Sequence, residues 1–247
     1  MRPTHQGGAR SEGSAGARDV DGTRDVDGAD RLGGALELSQ AFGFLGPGPI
    51  GPHVLHAEAC GRVVEAELRR GGRDALGAEV GQLPSRSLAF LDLGSGGGVP
   101  GLVLARRWPS SSAVLLDSSV RRTEFLRQQV SEMGWSERVE VITARAETEA
   151  RVPARRRSFD VVVARAFGPP AVVAECAAGF LRVGGFLVVS EPPGPNERWP
   201  AEGLVPLAMG PARFVSGDFT FVVIEQVGAC PDTFPRRTGV PSKRPLF

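Results

Sequence analysis
Asp92, Asp117 and Arg165, with the glycines Gly94, Gly96, Gly97 and Gly98, are the residues whose types and spacing could do chemistry. Glycines in such a run let the backbone turn sharply and approach a ligand that a Cβ would push away. Gly96, Gly98 and Gly101 match the G-x-G-x-x-G pattern of dinucleotide sites. Asp92, two residues before the first glycine, weighs against that ligand, because a carboxylate there repels a pyrophosphate. It suits S-adenosylmethionine, which lacks phosphate and carries sulfonium and ammonium charges. Asp117 falls nineteen positions after Gly98, where an acid receives ribose hydroxyls with either cofactor. The other reading of Asp117 is a helix cap, a role Ser118 and Ser119 could fill instead. Backbone N–H groups of Ala146 and Glu147 follow a strand at the position of an adenine edge. Arg165 lies at another strand's carboxyl end, where its fork could meet guanine O6 and N7 or pair with Asp92 or Asp160.

The elements that must position these residues read clearly. Leu88–Leu93 is an apolar run without a turn signal, as expected of a strand buried on both faces. Pro100 suits the first turn of a helix over Leu102–Trp108. Strands are predicted at Ala113–Asp117, Val139–Thr143, Phe159–Ala164 and Phe186–Ser190, the last entered through a turn at Val183–Gly185. Helices are predicted over Val120–Met133, stopped by Gly134, and from Pro169–Pro170 onward. A hairpin near Arg213–Val215 and Phe219–Val227 completes a doubly wound α/β sheet, and Glu191–Glu197 forms a candidate substrate lip.

Before this core, residues 1–34 repeat Arg-Asp-Val-Asp-Gly and carry little apolar surface, so a disordered leader is expected rather than a calcium loop. Residues 35–84 read as a helical cap, with a helix over His53–Arg70, then a core over 85–227 and a basic tail over 228–247 without helix or strand period. His53 and His56 read as surface or packing residues, and no metal site is expected. Arg151, Arg155, Arg156 and Arg157 form a basic run that is either a solvated loop or a phosphate contact.

Of 247 residues, 29 are Lys or Arg and 28 Asp or Glu, a formal net charge of +1, so any polyanion-binding surface must be a local patch. Cys60, Cys176 and Cys230 are scattered without a C-x-x-C pair, which points to a reducing cytoplasm and excludes a disulfide framework. No apolar run of spanning length occurs, so no membrane partner is expected.

The chain resembles the GidB family, bacterial methyltransferases acting on guanine N7 of small-subunit ribosomal RNA. The likeness rests on Leu91–Gly101, on Leu116-Asp117-Ser118 with Arg122 and Phe125-Leu126, on Arg145–Glu147, on Arg165-Ala166, and on the tail Pro235–Gly239 with Lys243–Leu246. It implies a seven-stranded, Rossmann-like class I methyltransferase sheet with an N-terminal helical segment. It also implies that Gly94, Val99, Ala146, Glu147 and Arg165 contact S-adenosylmethionine, with Asp117 on the ribose. Asp92, Gly96 and Gly98 complete the expected cofactor set, and Arg165 is the expected orienting residue. Arg236, Arg237, Lys243 and Arg244 are expected on RNA phosphates, the partner being 16S ribosomal RNA or the small subunit and the enzyme a monomer. Ser190-Glu191 stands where the family carries Lys-Gly, and Gln226 stands in place of a lysine. The family's N-terminal Asn-Leu-Thr and His-x-x-Asp-Ser landmarks are echoed only loosely, by His53 and His56. A divergent small-molecule methyltransferase and a non-catalytic RNA-binding module are the competing readings. Guanine N7 has an exposed lone pair, so positioning rather than acid–base chemistry is the expected catalytic device.

Overall fold
The computed structural model describes residues 22–70, 88–192 and 196–247, except for the side chains of 22–30 and Asn196. In chain order the elements are α1 (Gly22–Ala41), α2 (Gly51–Leu68), β1 (Ala89–Leu93), α3 (Gly101–Arg107), β2 (Ser112–Asp117), α4 (Val120–Glu132), β3 (Val139–Thr143) and α5 (Ala146–Glu149). They continue as β4 (Phe159–Ala164), α6 (Pro170–Phe180), β5 (Leu181–Glu191), α7 (Ala201–Leu204), β6 (Arg213–Ser216), β7 (Thr220–Glu225) and α8 (Val240–Lys243). One seven-stranded sheet runs β3-β2-β1-β4-β5-β7-β6. The first five are parallel, and β7 runs antiparallel to both neighbours.

Strand alternation sorts the core into two layers. Phe90, Leu115, Val161 and Val163 face α2, α3 and α4, while Leu91, Leu93, Leu116 and Val162 face α6. Every residue of α6 from Ala171 to Phe180 is buried, because the tail covers the face turned away from the sheet. On the opposite layer α2 is fastened to α3 by ion pairs from Arg107 to Glu58 and Glu65, and Trp108 Nε1 donates to Glu65 at 3.0 Å.

Three expectations change. The leader expected over 1–34 gives way to helix from Gly22, with Leu32 and Leu36 buried against the core; residues 1–21 lie outside the described residues. Residues 71–84 of the expected helical cap and 193–195 of the expected lip also lie outside them. β5 starts at Leu181, running through the expected turn, with a register shift against Phe159/Val161 and Gly184 at φ +75°. The tail, expected without helix or strand, is largely irregular but docked. It carries α8, buries Cys230 and Pro235, and lies on α6.

The arginine run explains that docking and is neither of the alternatives read from the sequence. Arg156 donates to the carbonyls of Ala150, Cys230, Pro231 and Phe234, Arg151 to those of Asp232, Thr233 and Pro235, and Arg157 to that of Cys230. Arg155 pairs with Glu140 and Glu149. Guanidinium forks here satisfy the backbone acceptors of a segment with no ladder of its own. Among the described residues no helix is long and apolar enough to cross a membrane.

Candidate cofactor and substrate site
At the carboxyl ends of the parallel strands lies a cavity of about 230 Å³, walled by Gly94, Asp117, Ala146, Glu147, Phe167 and Cys176 among others. The structure therefore brings together four of the residues expected on the cofactor: Gly94, Asp117, Ala146 and Glu147. Arg122, Arg145 and Ser242 also line it, so α8 forms part of the wall. Gly94 has φ +78°, and a Cβ there would sit 2.6 Å from Phe167 Cδ2. Only glycine lets the strand end turn beneath that ring. Ala166, beside Phe167, is held at φ +53°, an uncommon conformation for a residue with a Cβ. It marks the point where the chain turns between Arg165 and the cavity wall.

The glycine loop is held from inside. Gly94 and Ser95 donate their amides to Leu116 O at 2.9 and 3.0 Å, and Gly98 donates to Ser95 O at 2.7 Å. Gly96 N donates to Asp117 Oδ2 and Gly101 N to Asp92 Oδ2, both at 2.9 Å. On the outer side Ser39 of α1, itself fully buried, donates to Gly97 O at 2.9 Å.

Asp117 stays at the cavity but not free of capping duty. Ser119 makes no side-chain cap; instead Asp117 Oδ1 accepts from Ser119 N at 2.8 Å. Asp92 departs from its expected place. It is fully buried on the same sheet face as Phe90, under the helix start rather than at the cavity, so it presents no charge to a ligand there. The alternation of side chains along β1 carried that signal. Burial pushes its carboxyl up to about 7, and its Oδ1 has no partner. Gly96, Gly98 and Val99 shape the loop without lining the cavity.

Glu147 has a structural task. Burial would raise its pKa, but hydrogen bonds, first from Gly239 N at 2.9 Å, and the charge of Arg145 hold it below the usual carboxylate range. Burial lifts the Cys176 thiol far above its ordinary value, so it is no nucleophile.

Arg165 stands apart from this cavity. Its Nη2 meets His53 Nδ1 at 2.7 Å, and its Nη1 is buried without a partner. It forms no ion pair with Asp160, which binds Arg182 and Ala89 N. Where the family pattern has lysine, Ser190 meets His56 Nε2 at 2.7 Å, and Gln226 is buried and donates to the carbonyls of Leu207, Ala208 and Gly228. Ser39 is missed in the sequence, where His53 and His56 read as surface or packing residues, although their three-residue spacing on one helix and their loose echo of the family landmark are a signal for the polar role.

Of the four cations expected on RNA, Arg236 is corrected. It forms a bidentate pair with the fully buried Glu175 and braces the tail. Arg237, Lys243 and Arg244 are exposed.

Comparison with known proteins agrees with this architecture. Residues 78–191 match the family model described as rRNA small subunit methyltransferase G. Curated relatives named ribosomal RNA small subunit methyltransferase G include that of Prochlorococcus marinus strain NATL1A, 34% identical over 67% of this chain and 70% of its own length. That of Rubrobacter xylanophilus is 31% identical over 78% of this chain and 72% of its own, and that of Deinococcus radiodurans 38% identical over 64% and 65%. Among solved structures, TYW2 of P. horikoshii in complex with MeSAdo superposes at TM-score 0.44 and 11% identity, covering 57% of this chain and 58% of that one, a likeness too loose to bear on function. Identity and coverage at this level, carried through the glycine loop and the strands that surround it, place the chain in the rRNA small subunit methyltransferase G (GidB) family.

Proposed function
We propose that the protein is an S-adenosylmethionine-dependent methyltransferase acting on guanine N7 of small-subunit (16S) ribosomal RNA. The observation that carries the cofactor is the state of the loop amides. Gly94, Ser95, Gly96, Gly98 and Gly101 all spend their N–H groups on the protein's own carbonyls and carboxylates. Pyrophosphate sites depend on such amides being free, so the loop favours a ligand without phosphate. This occupancy replaces the charge repulsion first assigned to Asp92.

The residues present fit S-adenosylmethionine: Asp117 keeps lone pairs for ribose hydroxyls, and the Ala146 and Glu147 backbone edges the cavity for adenine. When bound, the cofactor supplies an activated methyl group. The chain's own part is to orient. Asp117 and Glu147 are committed to backbone amides and Cys176 is locked as a thiol, so no cavity carboxylate or thiol stands ready to remove a proton. An acceptor with its own lone pair, such as guanine N7, needs none. The target RNA follows from the family, and exposed Arg237, Lys243 and Arg244 flank the cavity-lining Ser242 as phosphate contacts.

The test is calorimetric titration with S-adenosylmethionine, followed by mass mapping of methylguanine in small subunits from cells lacking the gene, treated with purified protein. Restored 7-methylguanine supports the reading. Cofactor binding without RNA methylation turns it toward a small-molecule substrate, and no cofactor binding turns it toward an RNA-binding module.

A further inference from the structure
Beyond the cofactor cavity, the first turns of α2 and the carboxyl ends of β4 and β5 form a polar node. Val189 pairs with Ala164, so Ser190 and Arg165 leave adjacent strands side by side. His53 and His56, one turn apart on α2, reach one each: His53 to Arg165 and His56 to Ser190, both at 2.7 Å. Arginine has no acceptor, so in this contact His53 Nδ1 is the acceptor. The His56 ring sits against Phe219 and Phe221, and burial first, then Arg165, hold it neutral down to about pH 4, so it adds no charge beside the guanidinium. With Nη2 of Arg165 taken, Nη1 remains, buried and unpartnered. A buried donor left so is costly unless something arrives to accept from it. Arg165 is not a wall of the cavity, whereas Ala166 and Phe167, the next two residues, are. Arg165 thus immediately precedes the cavity wall in the chain, beside the cofactor site.

We propose that His53 is a positioning residue for the methyl-accepting base: by holding Nη2 of Arg165, it aims Nη1 at the acceptor edge of a purine, guanine O6 beside N7. The inference rests on the methyltransferase reading above and adds α2 to the substrate site. Arginine is a flexible side chain, and a fork pinned at one nitrogen points the other in a fixed direction. Loss of the pin costs rate through misplacement of the base, on the order of 10- to 100-fold, and leaves the adenosyl cavity alone.

The experiment compares the full-length wild type with His53→Ala, His53→Asn, His53→Gln, Arg165→Ala and the double variant His53→Ala/Arg165→Ala. Methylation of unmodified small subunits and calorimetric binding of S-adenosylmethionine are measured for each. Asparagine offers an oxygen where Nδ1 stood, whereas glutamine places its oxygen nearer the Nε2 position. The expected result is a loss of kcat/KM in His53→Ala with cofactor Kd within about twofold of wild type, recovery in His53→Asn and not in His53→Gln, and no further loss when His53→Ala is added to Arg165→Ala. Equal rates in the asparagine and glutamine variants, additive losses in the double variant, or a parallel loss of cofactor binding would each overturn it. The asparagine–glutamine comparison still decides if the alanine variant does not fold. A wild type that methylates no RNA sinks the parent reading instead, and an active wild type beside an indifferent His53 sinks only this one.

Discussion

Replacing Asp92 with asparagine should stabilise the ligand-free protein at alkaline pH and, in acid, leave it unchanged or weaken it by up to about 3 kcal/mol. The unfolded carboxyl ionises near 3.8, whereas burial keeps the folded one protonated to about 7. Between those values the unfolded chain has released a proton that the folded chain still holds, so wild-type stability falls as pH rises, by about 1.4 kcal/mol per pH unit. Above pH 7 the accumulated cost is about 4 kcal/mol, a ceiling that water penetration and relaxation lower. Asparagine has the same shape, keeps an oxygen for Gly101 N–H, and cannot ionise. Its amide must occupy the place of the unpartnered Oδ1, which costs about 1–3 kcal/mol if nothing accepts from it. The net gain at pH 8 is therefore about 1–4 kcal/mol, or several degrees in Tm for a chain of this size. Urea unfolding of both proteins from pH 4 to pH 9 reads it directly. The gap between the two curves should widen from pH 4 to pH 7 and then flatten. A gap independent of pH, or an asparagine variant that loses ground as pH rises, would show that Asp92 is a charged staple and refute the assignment.

Arg236→Ala should lower stability by about 3–5 kcal/mol in thermal melts, since Glu175 is left charged and buried with one backbone amide for company. The triple variant Arg237→Ala/Lys243→Ala/Arg244→Ala should melt like wild type yet bind small-subunit RNA with a log–log salt slope shallower by about two; an unchanged slope would remove these residues from the RNA face. Gly94→Ala should weaken S-adenosylmethionine binding at least about tenfold by calorimetry, because a left-handed alanine costs about 1–2 kcal/mol and its Cβ drives against the Phe167 ring.

What the sequence made legible was local. β3 and β4 match their expected bounds because apolar runs end there in polar or glycine-containing turns, and α4 ends at a glycine with φ +70°. Arg151, Arg156 and Arg157 show the opposite case. Neighbouring arginines look solvated until a segment more than seventy residues later brings the carbonyls they bind, and no periodicity records such a pairing. The same applies to Arg236, whose partner lies sixty-one positions earlier. At the site, the residue types were readable and their direction was not. Asp92 belongs to the loop by its position, but the pleat turns it toward α3; Arg165 belongs to the strand end, but α2 decides what it meets.

Glu147 and Glu175 both wait for Gly239 and Arg236. During synthesis the chain must emerge from the ribosome past Gly239 before the adenine side of the pocket is walled. A premature stop anywhere between codons 230 and 236 would thus leave a sheet and glycine loop of ordinary appearance, with two stranded acids and a doorway in place of a pocket. Late nonsense alleles of this gene should behave as complete losses, and a screen of such alleles would trace the boundary of the clasp one codon at a time.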